Sequence, residues 1–519
     1  MRKLKTLFAV LGCLAGVLRA EADDAAPPAR SVPAPLIEWP LRDGDVWVMV
    51  GDSITEQKLY TAYLEAFARA RYPKLPFVVV HSGKSGQVYI QGIIRFKNTV
   101  AAYKPTLITV NFGMNDHVKV FAGEDFQDDP RNSPQRFMQT VADLKNARLY
   151  VLSASPLLAP ADYGPSVESL RTPHDPKASR ERSNPINKLF ADKLRLVAER
   201  NGVPFIDQMT TLQTIWAANY PRDFVATLRD GLKAFSEEPI TAENAAPKKT
   251  TLGPFINPYT TRPGWANALP LPDKENLLEN LAALPAATTP TALEAFRLYA
   301  RGWLAQVDAA NPPFVRLSGY SKSSRILDLI HPNEAGHLHM AAVILKQMKA
   351  DNLVSEVVID AKTNKLTSAK KAVVSDLAMQ AGVLRFKRLD DSLPLPIDPL
   401  ARPALDVDVR TPLGTPRDLF GMSRYLTTVA NLPVGNYEIA IDGATVATVS
   451  AADLARGVDL GLLDKGPVFA QTQKLLAAVR ADLVDALAPK TAEEIAAVVP
   501  KTLPEAQPVE HVWTVRPLK

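Results

Sequence analysis

Met49-Val50-Gly51-Asp52-Ser53-Ile54-Thr55 sets a serine at the point where an extended run gives way to a helical one. On its left, Trp47-Val48-Met49-Val50 is a short apolar run of strand type. On its right, Leu59 to Tyr72 repeats Leu, Tyr, Ala and Phe at helical spacing. A hydroxyl at such a junction lies at the positive end of a helix, where backbone N–H groups lack partners and an oxyanion is welcome. Two roles fit a serine there, helix cap or nucleophile, and the phrase alone does not choose between them.

Outward from this phrase, strand-like and helix-like segments alternate. The strand candidates are Val46–Val50, Phe77–His81, Leu107–Asn111, Leu149–Ser153 and Val203–Ile206, and the helix candidates are Tyr60–Tyr72, Gln91–Tyr103, Pro134–Lys145 and Pro185–Glu199. This rhythm predicts an α/β fold with a parallel sheet covered on both faces. Ligands of such sheets bind beyond the carboxyl ends of the strands, which is where Ser53 falls. From about 208 to 324 the rhythm breaks into helical stretches such as Leu277–Leu284 and Ala292–Val307, separated by loops such as Pro254–Gly264. That segment reads as an insertion packed against the core. Its aromatics Trp216, Tyr259, Trp265, Tyr299 and Trp303 are expected to fill the insertion's own core in preference to lining a cleft. Beyond 353, alternating runs such as Val357–Asp360, Val383–Phe386, Tyr425–Val429 and Tyr437–Ile441 predict a second, partly β C-terminal domain over 353–519, with Ser450 capping a short helix Ala451–Arg456.

The bulk composition bounds what this architecture serves. A chain of 519 residues is too long for one ordinary domain, and 46% hydrophobic with 22% charged residues is a globular composition. The net charge of +5 is the small difference between 60 basic and 55 acidic residues. Doublets such as Lys248-Lys249 and Lys370-Lys371 stand alone, so solvated faces account for them and no nucleic-acid partner is expected. Arg2, Lys3 and Lys5 precede an apolar stretch Leu7–Leu18 and the small-residue site Ala20-Glu21-Ala22, which reads as a signal peptide over 1–22. The stretch is too short for a stable membrane span. Cys13, the single cysteine, lies inside it; a lipid anchor there is the lesser alternative, and cleavage at Ala22 leaves no thiol for disulfides or metal. Residues 23–43, rich in proline, form a lead-in, and 44–352 the main domain.

Three further motifs complete the chemistry. His81-Ser82-Gly83-Lys84-Ser85-Gly86 ends the second strand, and glycine there lets backbone N–H groups approach a ligand. A phosphate-loop reading of Gly83-Lys84-Ser85 fails because Val78 stands where that pattern needs glycine. Gly113-Met114-Asn115-Asp116 ends the third strand; an asparagine amide is the kind of donor that stabilises a tetrahedral oxyanion, and loss of one such donor typically costs roughly 3–4 kcal/mol of barrier. Asp328-Leu329-Ile330-His331-Pro332-Asn333 precedes a helix Glu334–Lys349. A histidine there can take the serine proton while the carboxylate fixes its tautomer. His337 and His339 follow at i, i+2, which puts them on different helix faces, unlike paired zinc histidines at i, i+4. No metal site is expected.

Together these motifs resemble the SGNH (GDSL-type) hydrolase family, over roughly 44–208 and 325–350. The resemblance implies a three-layer, flavodoxin-like parallel sheet and hydrolysis of esters through an acyl-enzyme, with no cofactor. It implies Ser53 as nucleophile, Asp328 and His331 as acid and base, and an oxyanion hole from the N–H groups of Ser53 and Gly86 with the side chain of Asn115. His81 stands where the family usually has asparagine, and the insertion before Asp328 departs from the family pattern. Many secreted members remove acetyl groups from polysaccharides, so the expected substrate is a small-molecule or polysaccharide ester, above all an O-acetylated carbohydrate. Lipase, arylesterase or thioesterase activity is the runner-up, and a non-catalytic glycan-binding protein the alternative of another class. The sequence leaves the oligomeric state open.

Overall fold

The computed structural model describes residues 37–518 apart from 117–132, 145, 165–182, 242–272, 284–288, 311–314, 318, 320–327 and 408. The expected export segment with Cys13, most of the lead-in, the loop Pro254–Gly264 and Trp265 lie outside the described residues.

The apolar runs form β1 (Asp45–Gly51), β2 (Phe77–Gly83), β3 (Leu107–Asn111), β4 (Arg148–Leu152) and β5 (Phe205–Ile206). They pair in parallel in the order β2-β1-β3-β4-β5. This is the flavodoxin-like order, with its topological switch between β1 and β3. Gly51 lies opposite Gly83 on one side and Asn111 on the other, so the loops after β1, β2 and β3 leave the sheet side by side. β1 reads as continuously apolar because both of its faces are covered. Trp47 and Met49 join one core cluster with Phe77, Val79 and Leu107, while Val48 and Val50 join a second with Val80, Ile108 and Val110.

The helices are α1 (Ser53–Glu56), α2 (Leu59–Arg71), α3 (Tyr89–Arg95), α4 (Ser133–Ala142), α5 (Asn184–Arg200), α6 (Gln208–Glu237), α7 (Lys274–Ala283), α8 (Pro290–Ala310) and α9 (Glu334–Gln347). Phe67 of α2, Trp216 of α6 and Leu338 of α9 belong to the first core; Ile93 of α3, Phe137 of α4 and Phe190 of α5 belong to the second. The three-layer expectation is therefore met. Trp216 and Trp303 are packing residues as expected, but they are buried in the first core, shared with the sheet, and not in a core of the insertion's own; Tyr299 is partly buried against it.

Two elements differ from the sequence reading. The helix expected over Gln91–Tyr103 is α3 followed by a π-turn at Phe96–Val100 and a 3₁₀ turn at Ala101–Tyr103. Thr99 Oγ1 lies 3.0 Å from both Arg95 O and Ala486 O, and a side chain competing for a helix carbonyl loosens the regular ladder. The start of the insertion, read as a break in rhythm, is the 30-residue helix α6, which continues through Pro221 although proline withholds an N–H from the ladder.

Residues 353–519 supply a four-stranded and a five-stranded sheet around a third core containing Val357, Ile359, Phe386, Ile439 and Trp513. Ser450 caps Ala451–Arg456 as expected, in a reciprocal box with Asp453. The same region also enters the main sheet. The two-residue strand Val484–Asp485 pairs in parallel with β2, making six strands in all. Leu475, Leu476 and Val479 of the preceding helix Pro467–Ala481 join the core beside α2.

Candidate active site

The turn from β1 into α1 is shaped by missing side chains. A Cβ on Gly51 would stand 2.0 Å from Thr55 Oγ1 and 2.7 Å from Asn111 O, and one on Gly83 would stand 2.2 Å from the Glu56 nitrogen. Only glycine at both strand ends lets α1 fold down onto the sheet. The capping question is answered by the neighbour: Asp52 is the N-cap, its Oδ1 accepting from the Ile54 N–H at 3.0 Å. Ser53 is the first helical residue, 5% exposed, and its hydroxyl is spent elsewhere.

That partner is His331. Its Nε2 lies 2.8 Å from Ser53 Oγ, and its Nδ1 lies 2.7 Å from Asp328 Oδ2. Asp328 Oδ1 accepts from the backbone N–H groups of Ile330 and His331 at 3.0 and 3.1 Å. Burial would raise the Asp328 carboxyl, but the hydrogen bond and charge of His331, with those two N–H groups, outweigh it and hold the acid below its usual range. An ionised Asp328 only accepts, so Nδ1 carries the ring proton and Nε2 is left to accept from Ser53.

The segment bearing His331 is braced from three directions. Leu158, beyond β4, donates its N–H to Leu329 O at 2.8 Å, and Gly319 N–H donates to His331 O at 2.9 Å. Asn333 N–H donates to Leu317 O at 2.9 Å, its side-chain amide donates to Arg316 O, and its Oδ1 caps α9 through the Ala335 and Gly336 N–H groups. The segment 315–317 is in turn held by α6, where Asp223 Oδ1 accepts from the Leu317 N–H at 3.0 Å and Asn219 donates to Val315 O at 2.8 Å. The insertion is thus a buttress for the histidine segment.

The loop after β2 runs exposed through Lys84, Ser85 and Gly86. Its shape is set by the Lys84 N–H on Gly51 O, the Ser85 N–H on Glu56 Oε2, and Gly86 at φ +71°. The last is a left-handed conformation that favours glycine. From the loop after β3, Asn115 Nδ2 donates to Gln87 O at 3.2 Å, while Asp116 Oδ1 accepts from the Tyr89 N–H. Ser53, Gly86 and Asn115 therefore follow the ends of three adjacent strands, Ser53 at the start of α1 and the other two on loops.

His81, the residue that departs from the family pattern, is fully buried inside β2 with its Nε2 3.8 Å from Glu65 Oε2. His337 Nδ1 accepts from the Tyr60 N–H at 3.2 Å and its Nε2 bonds Gln57 Oε1, so both ring nitrogens hold the start of α2 to α9. His339 packs against Phe420 at a centroid distance of 5.1 Å. Burial, and for His337 also the neighbouring His331, pulls both down to about 3, so both are neutral rings in the folded protein.

Two neighbours of the serine turn carried no signal in the sequence. Asp485 Oδ2 accepts from Lys58 Nζ at 2.5 Å, placing the C-terminal strand beside the serine turn. Arg95 is 7% exposed and bonds Gly51 O, Ser82 O and Gln87 Oε1.

Residues 49–233 match the model of the GDSL-like Lipase/Acylhydrolase family; Asp328 and His331 lie beyond the matched span. Among solved structures the chain is similar to BT4096, a gut microbial diltiazem-metabolizing enzyme, at 17% identity over 93% of this chain and 100% of that one, with a TM-score of 0.52. It also matches Axe2, an acetylxylan esterase from Geobacillus stearothermophilus, at 19% identity over 32% of this chain and 77% of that one, with a TM-score of 0.23. No curated protein matches the chain.

Proposed function

With residues 49–233 belonging to the GDSL-like lipase/acylhydrolase family of ester hydrolases, we propose that this protein is an exported serine esterase that removes O-acetyl groups from carbohydrate. The observation that carries the catalytic assignment is the hydrogen-bonded run from Ser53 through His331 to Asp328.

In the proposed reaction His331 Nε2 takes the Ser53 proton as Oγ attacks the ester carbonyl. The oxyanion settles among the N–H groups of Ser53 and Gly86 and the amide of Asn115. The tetrahedral adduct collapses, His331 gives its proton to the departing alcohol oxygen, and an acetyl group remains on Ser53. A water then repeats the sequence, losing its proton to His331 and releasing acetate and the free serine. Asp328 stays ionised and holds the imidazole in the required tautomer throughout.

The short acyl group and polar alcohol are supported by the character of the rim. Lys58, Lys84, Glu56 and Asp485 border the serine turn on its β2 side, linked as Lys58–Asp485 and Lys84–Glu56 pairs. Such a border suits a hydrated sugar better than a long acyl chain. Export is supported by the charged start, apolar stretch and small-residue site of residues 1–22. Among the described residues no helix is long and apolar enough to cross a membrane.

Hydrolysis of p-nitrophenyl acetate, butyrate and octanoate beside Ser53→Ala, with acetate release from acetylated polysaccharide, tests the proposal. Ser53-dependent turnover that favours acetate and extends to the polysaccharide supports it. Turnover that rises with chain length replaces it with a lipase reading, and turnover indifferent to Ser53 removes the nucleophile assignment.

A further inference from the structure

Arg95 stands at the end of α3, almost wholly enclosed, with three hydrogen-bond acceptors that belong to different parts of the site. Its Nη2 donates to Gly51 O at 3.0 Å and to Ser82 O at 2.8 Å, and its Nη1 donates to Gln87 Oε1. Gly51 ends β1 two residues before the serine, Ser82 lies at the end of β2, and Gln87 follows Gly86 in the loop. The carbonyl oxygen of Gln87 is the acceptor for Asn115 Nδ2. One planar guanidinium therefore ties the end of β1 to the end of β2 and the loop that follows it, and the third loop joins through the bond of Asn115 to the Gln87 backbone. Resting on the esterase reading above, the geometry points to Arg95 and Gln87 as positioning residues for the oxyanion hole, acting through Asn115 and the Gly86 loop without touching substrate.

The choice of arginine follows from the geometry of the acceptors. A fork of fixed N–H directions can serve two strand-end carbonyls and a side-chain amide at once; a lysine ammonium of the same charge cannot hold all three in one plane. Burial lowers the group to about 10, opposed by Glu56, Asp485 and Asp52, so it remains charged at neutral pH. The clamp also explains why Gly86 tolerates an exposed, left-handed position. Its loop is fixed at the next residue by Gln87, from both the side chain and the backbone.

The test is a double-mutant cycle on p-nitrophenyl acetate between Gln87→Ala and Asn115→Ala, with Gln87→Glu as the conservative variant that keeps an acceptor for Arg95. Asn115→Ala is expected to lose roughly 10²- to 10³-fold in kcat, and Gln87→Ala roughly 10- to 100-fold with little change in KM, since misplaced donors act on the transition state. The double variant is expected within about twofold of Asn115→Ala alone, because the second change removes only what positions an absent donor. Gln87→Glu restores most of the loss. Multiplying losses in the double variant, or a Gln87→Ala effect confined to KM or to thermal stability, overturns the proposal. A second measurement needs no turnover. The Asn115 side-chain amide resonance, assigned in 15N-asparagine protein by its loss in Asn115→Ala, shifts or broadens in Gln87→Ala and in Arg95→Lys if the clamp holds it, and an unmoved resonance overturns the clamp. Absence of Ser53-dependent hydrolysis in the parent enzyme would reject the esterase reading, while the resonance still decides the clamp.

Discussion

Lys58 and Asp485 are 427 positions apart in the chain, yet Lys58 Nζ donates to Asp485 Oδ2 at 2.5 Å. Both side chains are about a third exposed, so the pair itself contributes little, by the usual measure of surface pairs roughly 0–1 kcal/mol. It marks where the C-terminal strand reaches the turn that carries Ser53. The strand's backbone matters more, because the Ala486 N–H donates to His81 O and Ala486 O lies beside Thr99 Oγ1. Asp485→Ala is therefore expected to leave the urea midpoint nearly unchanged. Ala486→Pro, which strands a buried carbonyl, is expected to cost about 1–3 kcal/mol. Equal effects of the two substitutions would place the weight on the ion pair instead.

Asp328→Asn keeps the shape of the site but lets its amide donate toward His331, inverting the tautomer that Ser53 needs. A fall in kcat on the order of 10⁴-fold is expected, with the thermal midpoint shifting far less in proportion. Steady-state kinetics on p-nitrophenyl acetate beside differential scanning calorimetry separate the two effects.

His337 and His339 make stability depend on acidity. Both are neutral when folded and are held down to about 3 by burial, whereas in the unfolded chain they take up a proton near 6.5. Between those values the unfolded state binds more protons, so stability is full above about pH 6.5 and falls as pH drops toward 3. The slope contributed by each histidine is at most about 1.4 kcal/mol per pH unit. Asp328, held below its ordinary range, adds in the same direction at the acid end of that window. Urea titrations from pH 7 to 4 on the parent and on His339→Phe should show a shallower fall in the variant; parallel curves would remove His339 from the account.

Asp223 supports the segment that bears His331 from a distance. Its carboxylate holds the Leu317 N–H, and Leu317 O holds the Asn333 N–H just after His331. Asp223→Ala leaves the buried Leu317 N–H without this acceptor and is expected to cost about 1–3 kcal/mol of stability. Activity should fall by more than stability accounts for at temperatures well below unfolding. Full activity in the cold would make the insertion a separate scaffold.

Gly83→Ala tests how closely α1 must pack. Its methyl would stand 2.2 Å from the Glu56 nitrogen and 2.4 Å from the Thr55 carbonyl carbon, both backbone atoms that cannot swing aside. Strain of about 1–3 kcal/mol is expected, with loss of Ser53 reactivity toward a fluorophosphonate probe. Unchanged labelling would show that the serine turn can retreat from the sheet.

Much of this site was legible in sequence because each part sits where a period changes. Val46–Val50 alternates between two cores, and the switch to helical spacing at Leu59 brackets Ser53. Asp328 and His331 were legible through residue type and the proline that follows them. The strand Val484–Asp485 was not, since two residues carry no periodicity. Arg95 was hidden for a different reason: a single arginine in a helical stretch reads as a solvated charge until the fold encloses it. The helix α6 was missed because Pro221 and the polar residues around it interrupt the apolar count over a segment whose partners, 315–317 and α9, come later in the chain.

The late arrival of Val484–Asp485 has a consequence for biogenesis. At roughly 5–20 residues per second, about 20–85 s separate synthesis of Lys58 from that of Asp485. For that interval the nascent chain presents the outer edge of β2, Val80 and His81 included, without the neighbour that finally covers it. An open apolar edge is a template for pairing with other chains. The enzyme's yield in a cell should therefore be governed by how well that edge is shielded until the last few dozen residues are in place.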